Sequence, residues 1–276
     1  MIKTAVLPVA GLGTRIMPLT LHQPKAMIGI VDRPMIHYVI DEALAAGIRH
    51  IVLVTGPNQP EFKKYITYLK EKDPEWQKLD IQFDFAIQKK PLGNGDAIVA
   101  AKKFLKQEPF AVSFSDDLLT STVPSLEVMT KLFQQLKGPI VALEPVPRQH
   151  VSRYGVVKSH SIDNEMKDIC RITDVVEKPK TEEAPSNLTI IGRYILTPEI
   201  LEILESLYPF RGTEIGLANA LKIYAQQGNA LYGWRFRGKR FDAGSKLGIL
   251  KAQTHFGLTH PDLKKEFKKY LKGLEL

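Results

Sequence analysis

Cysteine is nearly absent from the 276-residue sequence, which contains only Cys170. A single thiol excludes an internal disulfide framework and cannot build a cysteine metal cluster. Long apolar runs are missing too: no stretch approaches the roughly 18 residues that a membrane-spanning helix needs, so we expect no membrane span. The opening Met-Ile-Lys-Thr leads directly into an apolar run and leaves no room for a cleavable signal. We therefore expect a cytoplasmic protein.

Acidic residues are fewer than basic ones: 30 Asp and Glu stand against 38 Lys and Arg, a formal net charge of +8. Such an excess fits nucleic acids, membrane surfaces or anionic small molecules as partners. Much of the positive excess lies in the stretch 264–272, and we expect its lysines to form the solvent-facing side of a helix. The apolar stripe of this helix is formed by Leu263, Phe267, Tyr270 and Leu271. We expect no nucleic-acid binding, which would instead show steeply salt-dependent association.

Near its beginning the chain combines a short apolar run with a loop that contains glycine. The run 5–9 is typical of a buried parallel strand. Gly11 and Gly13 follow it, and glycines let the backbone approach a ligand and turn its N–H groups toward a polyphosphate. Arg15 and Lys25 add two positive charges. The stretch therefore predicts a site for a nucleoside triphosphate.

Two other glycine-loop motifs compete for this stretch. The dinucleotide fingerprint needs a third glycine where Ile16 stands, and it needs a helix directly after the loop, which Pro18 and Pro24 disfavour. Asp32 lies near the distance expected of a ribose-binding acid, but within this proline-rich segment and not at the end of a second strand. The P-loop pattern is absent. A plain β-to-α turn remains the alternative, and the Thr-Arg and Pro-Lys pairs favour the triphosphate site.

Strand-like and helix-like segments alternate with short connections through about residue 140. This order predicts an α/β protein with a doubly wound, mostly parallel sheet. Such sheets bind ligands at the carboxyl ends of their strands, so the loops 10–15, 88–95 and 116–117 should converge on one crevice. Strand-like runs then come with fewer helices, which indicates a mixed second lobe. The expected parts are a single domain over 1–276 made of a first lobe 1–140, a second lobe 141–245 and C-terminal helices in 246–276.

Longer motifs occur in order along nearly the whole chain. They are Gly11-Leu-Gly-Thr-Arg15, Pro24-Lys25, Val31-Asp-Arg-Pro-Met-Ile36, Ala45-Ala-Gly-Ile48, Gly93-Asn-Gly95, Tyr154-Gly-Val-Val157, Val175-Val-Glu-Lys-Pro-Lys180, Ala184-Pro-Ser-Asn187, Gly192-Arg-Tyr194 and Asp242-Ala-Gly-Ser-Lys-Leu-Gly248. With them the chain resembles the bacterial UTP–glucose-1-phosphate uridylyltransferases, within the sugar-phosphate nucleotidyltransferases. The resemblance implies a Rossmann-like nucleotidyltransferase fold and an enzyme that forms UDP-glucose and pyrophosphate from UTP and glucose 1-phosphate. It further implies Mg²⁺ as cofactor and a homo-oligomer.

The same resemblance implies roles for individual residues. Arg15, Lys25 and Lys178 would act on the phosphates as catalytic residues. Asp116 and Asp242 would hold Mg²⁺, which suits two carboxylates completed by phosphate oxygens and waters. The implied nucleotide-binding residues are Ala10, Gly11, Leu12, Gly13, Thr14, Gln88 and Gly93, and the implied sugar-binding residues are Gly155, Glu177, Lys178, Asn187 and Gly192.

These residue types suit the implied chemistry. In-line nucleotidyl transfer needs two anions held together and their charge neutralised, and it needs no nucleophilic side chain. Glu177 can accept hydrogen bonds from sugar hydroxyls, and Lys178 can bind a phosphate through the localised positive charge of its ammonium group. Gln88 lies five residues before Gly93, as in the uridylyltransferases, where this pair reads the uracil edge. An amide offers the donor and the acceptor that a pyrimidine imide requires.

Some positions depart from the pattern of the family. Where the family has the segment Pro-Lys-Glu-Met-Leu-Pro, this chain has Pro24-Lys-Ala-Met-Ile-Gly29. Asp96 stands where the family has the histidine of its Gly-Leu-Gly-His motif. Its Glu-Ile-Gln-Leu-Thr-Asp is Glu214-Ile-Gly-Leu-Ala-Asn219. Two alternatives therefore stay open: the same reaction with another sugar 1-phosphate or dTTP, and a non-catalytic regulatory relative that binds nucleotide sugar. Turnover across a substrate panel separates them, because the regulatory relative would bind nucleotide without turnover.

Overall fold

A computed structural model describes residues 2–162, 166–208 and 214–274 of the chain. Its strands are β1 (Thr4–Pro8), β2 (Gly29–Ile30), β3 (Arg33–Pro34), β4 (His50–Thr55), β5 (Gln82–Ile87), β6 (Phe110–Ser113), β7 (Asp117–Thr120), β8 (Ile140–Pro145), β9 (Gly155–Ser161), β10 (Ile169–Glu177), β11 (Leu188–Leu196), β12 (Leu231–Arg235) and β13 (Lys239–Asp242). Its helices are α1 (Met35–Ala45), α2 (Glu61–Lys72), α3 (Pro74–Gln77), α4 (Asn94–Ala100), α5 (Ser125–Leu136), α6 (Pro198–Ser206), α7 (Leu217–Gln226), α8 (Lys246–Thr259) and α9 (Lys264–Lys272). Among the described residues, every helix is too short or too polar to cross a membrane.

One mixed sheet organises the molecule, with the strand order β5-β4-β1-β6-β11-β8-β12-β10-β9. The first four of these strands pair in parallel, so their carboxyl ends meet at one edge. Strand β11, which comes late in the chain, runs antiparallel between β6 and β8 and joins the two predicted lobes in one sheet. The predicted α/β fold with a mixed sheet is confirmed, while the division at residue 140 stays a prediction.

Alternate residues of the parallel strands pack on opposite faces of the sheet. On one face, Leu7 and Leu53 join the buried apolar residues of α1 and α5. On the other face, Val6 and Val54 join those of α4, α6 and α7. The inner strands β1 and β4 are therefore buried on both sides, which is why their sequences read as nearly unbroken apolar runs, whereas the edge strand β5 alternates.

A short antiparallel ribbon, β7 with β13, lies beside the large sheet. The sequence pattern predicts only a loop at 116–117, whereas the structure begins β7 at Asp117 and pairs it with Asp242. The backbone N–H of Ala243 also donates to the Asp116 carbonyl at 2.8 Å. The ribbon therefore sets two distant acidic residues side by side, which no local pattern could indicate.

Several helix boundaries differ from the sequence-based expectation. A proline is favoured at the first position of a helix, which predicts a start at Pro34, but α1 begins at Met35 because that proline pairs in the β2–β3 ribbon. The sequence predicts a helix opened by Gly93 and Gly95 and continuing through Leu105, but α4 ends at Ala100 and a 3₁₀ turn follows. It also predicts a helix over 214–226, but α7 begins only at Leu217. Helix ends depend on tertiary contacts and capping more than on periodicity, so such differences of a few residues are expected.

The C-terminal helix α9 lies on the outside of the molecule. The ring of Phe267 in α9 packs against α8. A Cβ added to Gly257 of α8 would lie 2.9 Å from this ring. None of the α9 side chains is buried, and Tyr270 is 62% exposed. The lysines face solvent as expected, but the apolar stripe of this helix is only partly covered.

We expect Cys170 to be unreactive in the folded protein. Its side chain is buried in β10, and burial raises the pKa of the thiol, so the reactive thiolate is scarce. Ellman's reagent should release no colour from the native protein over minutes and one equivalent after denaturation in guanidinium chloride. A full equivalent released under native conditions would contradict this placement of the thiol.

Candidate active site

A cleft opens at the carboxyl ends of the parallel strands, where an α/β sheet binds its ligands. The loop after β1 contributes Ala10 and Gly11, the segment after β5 contributes Gln88 and Gly93, and the end of β6 leads to Asp116. The three loops expected to converge therefore do line one cavity. Leu12, Gly13 and Thr14 belong to the first loop but line neither this cavity nor the adjoining one.

A second cavity adjoins the first and shares part of its wall. Asn94, Phe114, Asp116 and Glu214 line both. The further lining residues of the second cavity include Arg15, Asp117, Tyr154, Gly155, Glu177, Gly192 and Arg240. Four of the seven residues expected to bind nucleotide thus line the first cavity, three of the five expected to bind sugar line the second, and Asp116 lies between them.

The glycine loop is folded back on the segment that follows it. Gly13 has a φ of +61°, and a Cβ there would lie 2.7 Å from Thr20 Cγ2 and 3.1 Å from Lys25 Cβ. Thr20 Oγ1 donates to the Gly13 carbonyl at 3.1 Å. Only glycine fits a left-handed backbone this close to a neighbouring segment without strain. This packing holds Lys25 against the loop, although Lys25 lies twelve positions beyond Gly13 in the sequence.

Four charged side chains meet beside Gly244. A Cβ added to this glycine would lie 3.0 Å from Arg15 Nη2, 3.1 Å from Lys25 Nζ and 2.8 Å from Asp242 Oδ1. Lys25 also forms an ion pair with Asp116. The two predicted phosphate-binding cations and the two predicted metal-binding carboxylates are therefore brought together at one point of the cleft.

The carboxyl groups of Asp116, just before β7, and Asp117, its first residue, have opposite pKa shifts. Burial raises the pKa of Asp116, but the charge and hydrogen bond of Lys25 outweigh burial and hold this pKa below its usual value. Burial also raises the pKa of Asp117, and the Arg240 guanidinium does not cancel that rise. Asp116 is thus kept ionised at the cleft, as a metal ligand must be.

Asp117 is the centre of a buried network that the sequence did not reveal. It accepts a hydrogen bond from Arg240 Nε at 2.6 Å and one from the backbone N–H of Gly192 at 2.7 Å. Arg240 also lies over the ring of Tyr154, with Cζ 4.9 Å from the centroid, and the Tyr154 hydroxyl donates to Asp242 at 3.3 Å. Arg240 and Asp242 are two residues apart on β13, so their side chains lie on the same face of the strand. This spacing could have indicated from the sequence that Arg240 lies near the site of Asp242.

The residues expected to bind sugar lie mainly on β9, β10 and β11. Glu177 pairs in register with Gly155, and a Cβ on that glycine would lie 3.2 Å from Glu177 Oε2. Lys178 stands at the rim, with its side chain 58% exposed and its Nζ 3.3 Å from Glu177 Oε1. At Gly192 a Cβ would lie 2.8 Å from Asp117 Oδ2, so no side chain fits there. Asn187 lies apart from the two cavities and donates to a backbone carbonyl at 3.4 Å.

A comparison with known families identifies the chain. The family model described as Nucleotidyl transferase matches residues 4–257, which is most of the sequence. The chain belongs to this nucleotidyl transferase family.

Named relatives within the family narrow the similarity. The chain is 38% identical to a UTP–glucose-1-phosphate uridylyltransferase of Streptococcus pneumoniae, over 98% of this chain and 95% of that protein. It is 35% identical to the protein of that name from Staphylococcus epidermidis, over 100% of this chain and 99% of that protein. The predicted resemblance to the bacterial uridylyltransferases is confirmed.

Solved structures of nucleotidyl transferases show the same fold. A crystal structure of UDP-glucose pyrophosphorylase complexed with UDP-glucose matches with a TM-score of 0.85 and 38% identity, covering 93% of this chain and 98% of that one. A UTP-bound UGPase from Acinetobacter baumannii matches with a TM-score of 0.87 and 35% identity, covering both chains fully, at 100% each. The predicted nucleotidyltransferase fold is confirmed.

The donor set of this nucleotidyl transferase fits a magnesium ion that is completed by substrate. Among the residues that the structure describes, no three His, Cys, Asp or Glu side chains form a group suited to a metal. Asp242, beside Gly244, and Asp116, paired with Lys25 at the same place, offer hard oxygen donors. Mg²⁺ prefers oxygen, keeps several waters and is commonly held by one or two carboxylates plus phosphates. The pair therefore suits Mg²⁺ bound together with a triphosphate.

Proposed function

We propose that the chain transfers the uridylyl group of UTP to glucose 1-phosphate and forms UDP-glucose and pyrophosphate. The observation that carries this proposal is the meeting of Arg15, Lys25, Asp116 and Asp242 between two adjoining cavities. Such a point is suited to hold the α-phosphorus between a nucleotide on one side and a sugar phosphate on the other. The names of the full-length relatives supply the choice of UTP and glucose.

The chain's own groups would neutralise and align the two anions. In this proposal the backbone N–H groups of Ala10 and Gly11 face the triphosphate, and Arg15 and Lys25 balance the charge that develops as pyrophosphate leaves. The sugar hydroxyls donate to Glu177, and the backbone at Gly155, where a side chain would crowd that carboxylate, lies against the sugar. No side chain forms a covalent intermediate, because one in-line displacement suffices.

We propose Mg²⁺ as the cofactor, held by Asp116 and Asp242. When bound, the ion would supply positive charge that stabilises the transition state. Lys25, which pairs with Asp116 in this structure, lies close enough to the first cavity to bind the phosphates there. The nucleotide roles of Leu12, Gly13 and Thr14 and the sugar roles of Asn187 and Gly192 are kept as proposals.

Pyrophosphate release is the direct test of this function. The purified chain is incubated with Mg²⁺ and each of UTP, dTTP, CTP, ATP and GTP, paired with glucose, galactose, mannose or N-acetylglucosamine 1-phosphate. We expect the highest kcat/KM with UTP and glucose 1-phosphate and no turnover when EDTA replaces Mg²⁺. Preferred turnover of another pair would contradict the substrate assignment. Protection against thermal unfolding by UTP without any turnover would favour the non-catalytic relative.

Changing Lys178 to alanine should weaken sugar-phosphate binding. Its ammonium is the charge at the rim nearest to Glu177, and a charge-assisted hydrogen bond is worth about 1.5–3 kcal/mol. We expect the KM for glucose 1-phosphate to rise about 10- to 100-fold, while the KM for UTP changes less than about threefold. Steady-state kinetics with each substrate varied in turn measure both.

Lys180 supplies the matched control for this prediction. It lies two positions further along the chain and pairs with Glu183 at 3.4 Å, with its side chain 72% exposed. Lys180→Ala should leave both KM values unchanged. Equal KM values for glucose 1-phosphate in Lys178→Ala and the wild type would remove Lys178 from the proposed site.

We also propose a cytoplasmic, homo-oligomeric protein. Support for self-association comes from exposed leucines on α8, since Leu247 and Leu250 are 62% and 63% exposed. Light scattering coupled to size-exclusion chromatography measures the mass in solution, and a 31.0 kDa monomer at micromolar concentration would contradict the oligomer.

A further inference from the structure

The amide of Gln88 is held in one orientation by its surroundings. The residue follows β5, and its backbone N–H donates to the Thr55 carbonyl at 2.9 Å. It lines the first cavity, the one proposed to take the nucleotide, and is 8% exposed. Its Nε2 lies 2.9 Å from the Gly93 carbonyl and 2.7 Å from Asp96 Oδ2. A carbonyl and a carboxylate only accept hydrogen bonds, so both must face the NH₂ group and not the amide oxygen.

Asp96 is itself fixed from two sides. It lies in the first turn of α4, where the helix end favours a negative charge. Its Oδ2 accepts from Gln88, and its other oxygen accepts a hydrogen bond from the Tyr208 hydroxyl. Tyr208 follows α6, so residues more than a hundred positions apart in the sequence meet behind the glutamine.

This arrangement leaves Gln88 with one group to offer a ligand. Both N–H bonds of the amide are used, and among the described residues none donates to Oε1. Rotation of the amide would set Oε1 against two acceptors and break two hydrogen bonds. The glutamine therefore does not present both a donor and an acceptor, as an amide in isolation would. Any donor to a base carbonyl must come from elsewhere, and the N–H of Gly93 is bonded to no described acceptor.

We propose that Asp96, held by Tyr208, is a positioning residue that makes Gln88 a pure acceptor and so selects bases with a ring N–H at that edge. The inference rests on the proposed function, in which the cavity takes a nucleoside triphosphate. Uracil and thymine both donate from N3. Cytosine seated in the same way would set its unprotonated N3 against the glutamine oxygen, and two facing acceptors repel.

Nucleotide selectivity tests this role. We measure kcat/KM with glucose 1-phosphate for UTP, CTP and dTTP, and CTP binding by calorimetry. In Asp96→Ala only the Gly93 carbonyl still holds the NH₂ group, so the amide can turn at a lower cost and donate to cytosine, and the UTP/CTP ratio should fall at least about tenfold, mainly through KM. The UTP/dTTP ratio should change less than about twofold, because both bases present N3–H. Asp96→Asn keeps one accepting oxygen and should restore most of the UTP/CTP ratio.

Glu127→Ala is the matched control, since it removes a carboxylate from the first turn of α5 whose one ion-pair partner within the described part of the chain is exposed Lys131. It should leave all ratios unchanged. A folded Asp96→Ala protein with an unchanged UTP/CTP ratio overturns the proposal. If that variant does not fold, Tyr208→Phe decides in the same way, with an expected fall of about threefold.

The two proposals fail differently in this experiment. A wild type that uses neither UTP nor dTTP, while it turns over another nucleotide, overturns the proposed function and this inference with it. If the wild type prefers UTP to CTP and the variants show the same UTP/CTP ratio, only the role of Asp96 is overturned.

Discussion

Replacing Asp116 by asparagine should lower kcat/KM for uridylyl transfer by at least about 1000-fold, which corresponds to about 4 kcal/mol of transition-state stabilisation. The change keeps the size of the side chain and removes the charge that lies between the two cavities. Without that charge the proposed Mg²⁺ loses one of its two carboxylates, and Lys25 loses its partner. Initial rates of pyrophosphate release at several Mg²⁺ concentrations measure the loss.

Binding provides a second readout for the same variant. Calorimetry should show that Mg²⁺ no longer strengthens UTP binding to Asp116→Asn, as it should for the wild type. The matched control is Asp168→Asn, which removes an aspartate that pairs with exposed Arg237 at 2.7 Å, outside both cavities. This control should behave like the wild type. Undiminished turnover by Asp116→Asn would show that the metal is held elsewhere.

Replacing Glu42 by alanine should lower the free energy of unfolding by about 3–5 kcal/mol, the usual loss when one partner of a buried ion pair is removed. Its Oε2 accepts from Arg193 Nε at 2.9 Å and from Nη2 at 2.8 Å, and Arg193 is 1% exposed. The guanidinium also donates to the carbonyls of Phe114 and Gly192, which stand at the wall of the cleft. Without Glu42 a buried charge would remain with no counterion.

Urea unfolding followed by circular dichroism measures this loss. Asp41→Ala is the control. The neighbouring carboxylate is 42% exposed and lies 3.5 Å from Arg33 Nη1 and 3.2 Å from His37 Nε2, and its exposure limits the loss to about 1 kcal/mol. The double variant Glu42→Met with Arg193→Met should regain much of the stability, since it leaves no unpaired charge. A loss below about 1 kcal/mol in Glu42→Ala would contradict the importance of the pair.

Much of the fold could be predicted from the sequence because its signals are local. The buried run that became β1, the periodic apolar residues of α1 and the glycine at position 47 with its φ of +81° are all readable within a short window. Strand order is not local. Nothing in β11 indicates that it enters between β6 and β8. The strands β7 and β13 were not predicted, because their pairing joins residues more than a hundred positions apart.

The candidate site was predictable where a motif carried it. Arg15, Lys25, Asp116 and Asp242 were proposed from motifs, and the structure brings them to one point. The supporting residues were not proposed, because their partners lie far away in the chain. Arg240, the buried partner of Asp117, is such a case, since it stands 123 positions from it.

The sequence by itself determined the family and much of the order of the elements, and it proposed residues for the phosphate and metal chemistry, because each of these follows from periodicity or from a short motif of fixed spacing. Only the tertiary structure decided which buried charges pair, and that the amide of Gln88 offers an acceptor alone. The physical reason is distance along the chain. A hydrogen bond such as that between Glu42 and Arg193 joins residues 151 positions apart, and it exists only after the sheet has ordered its strands.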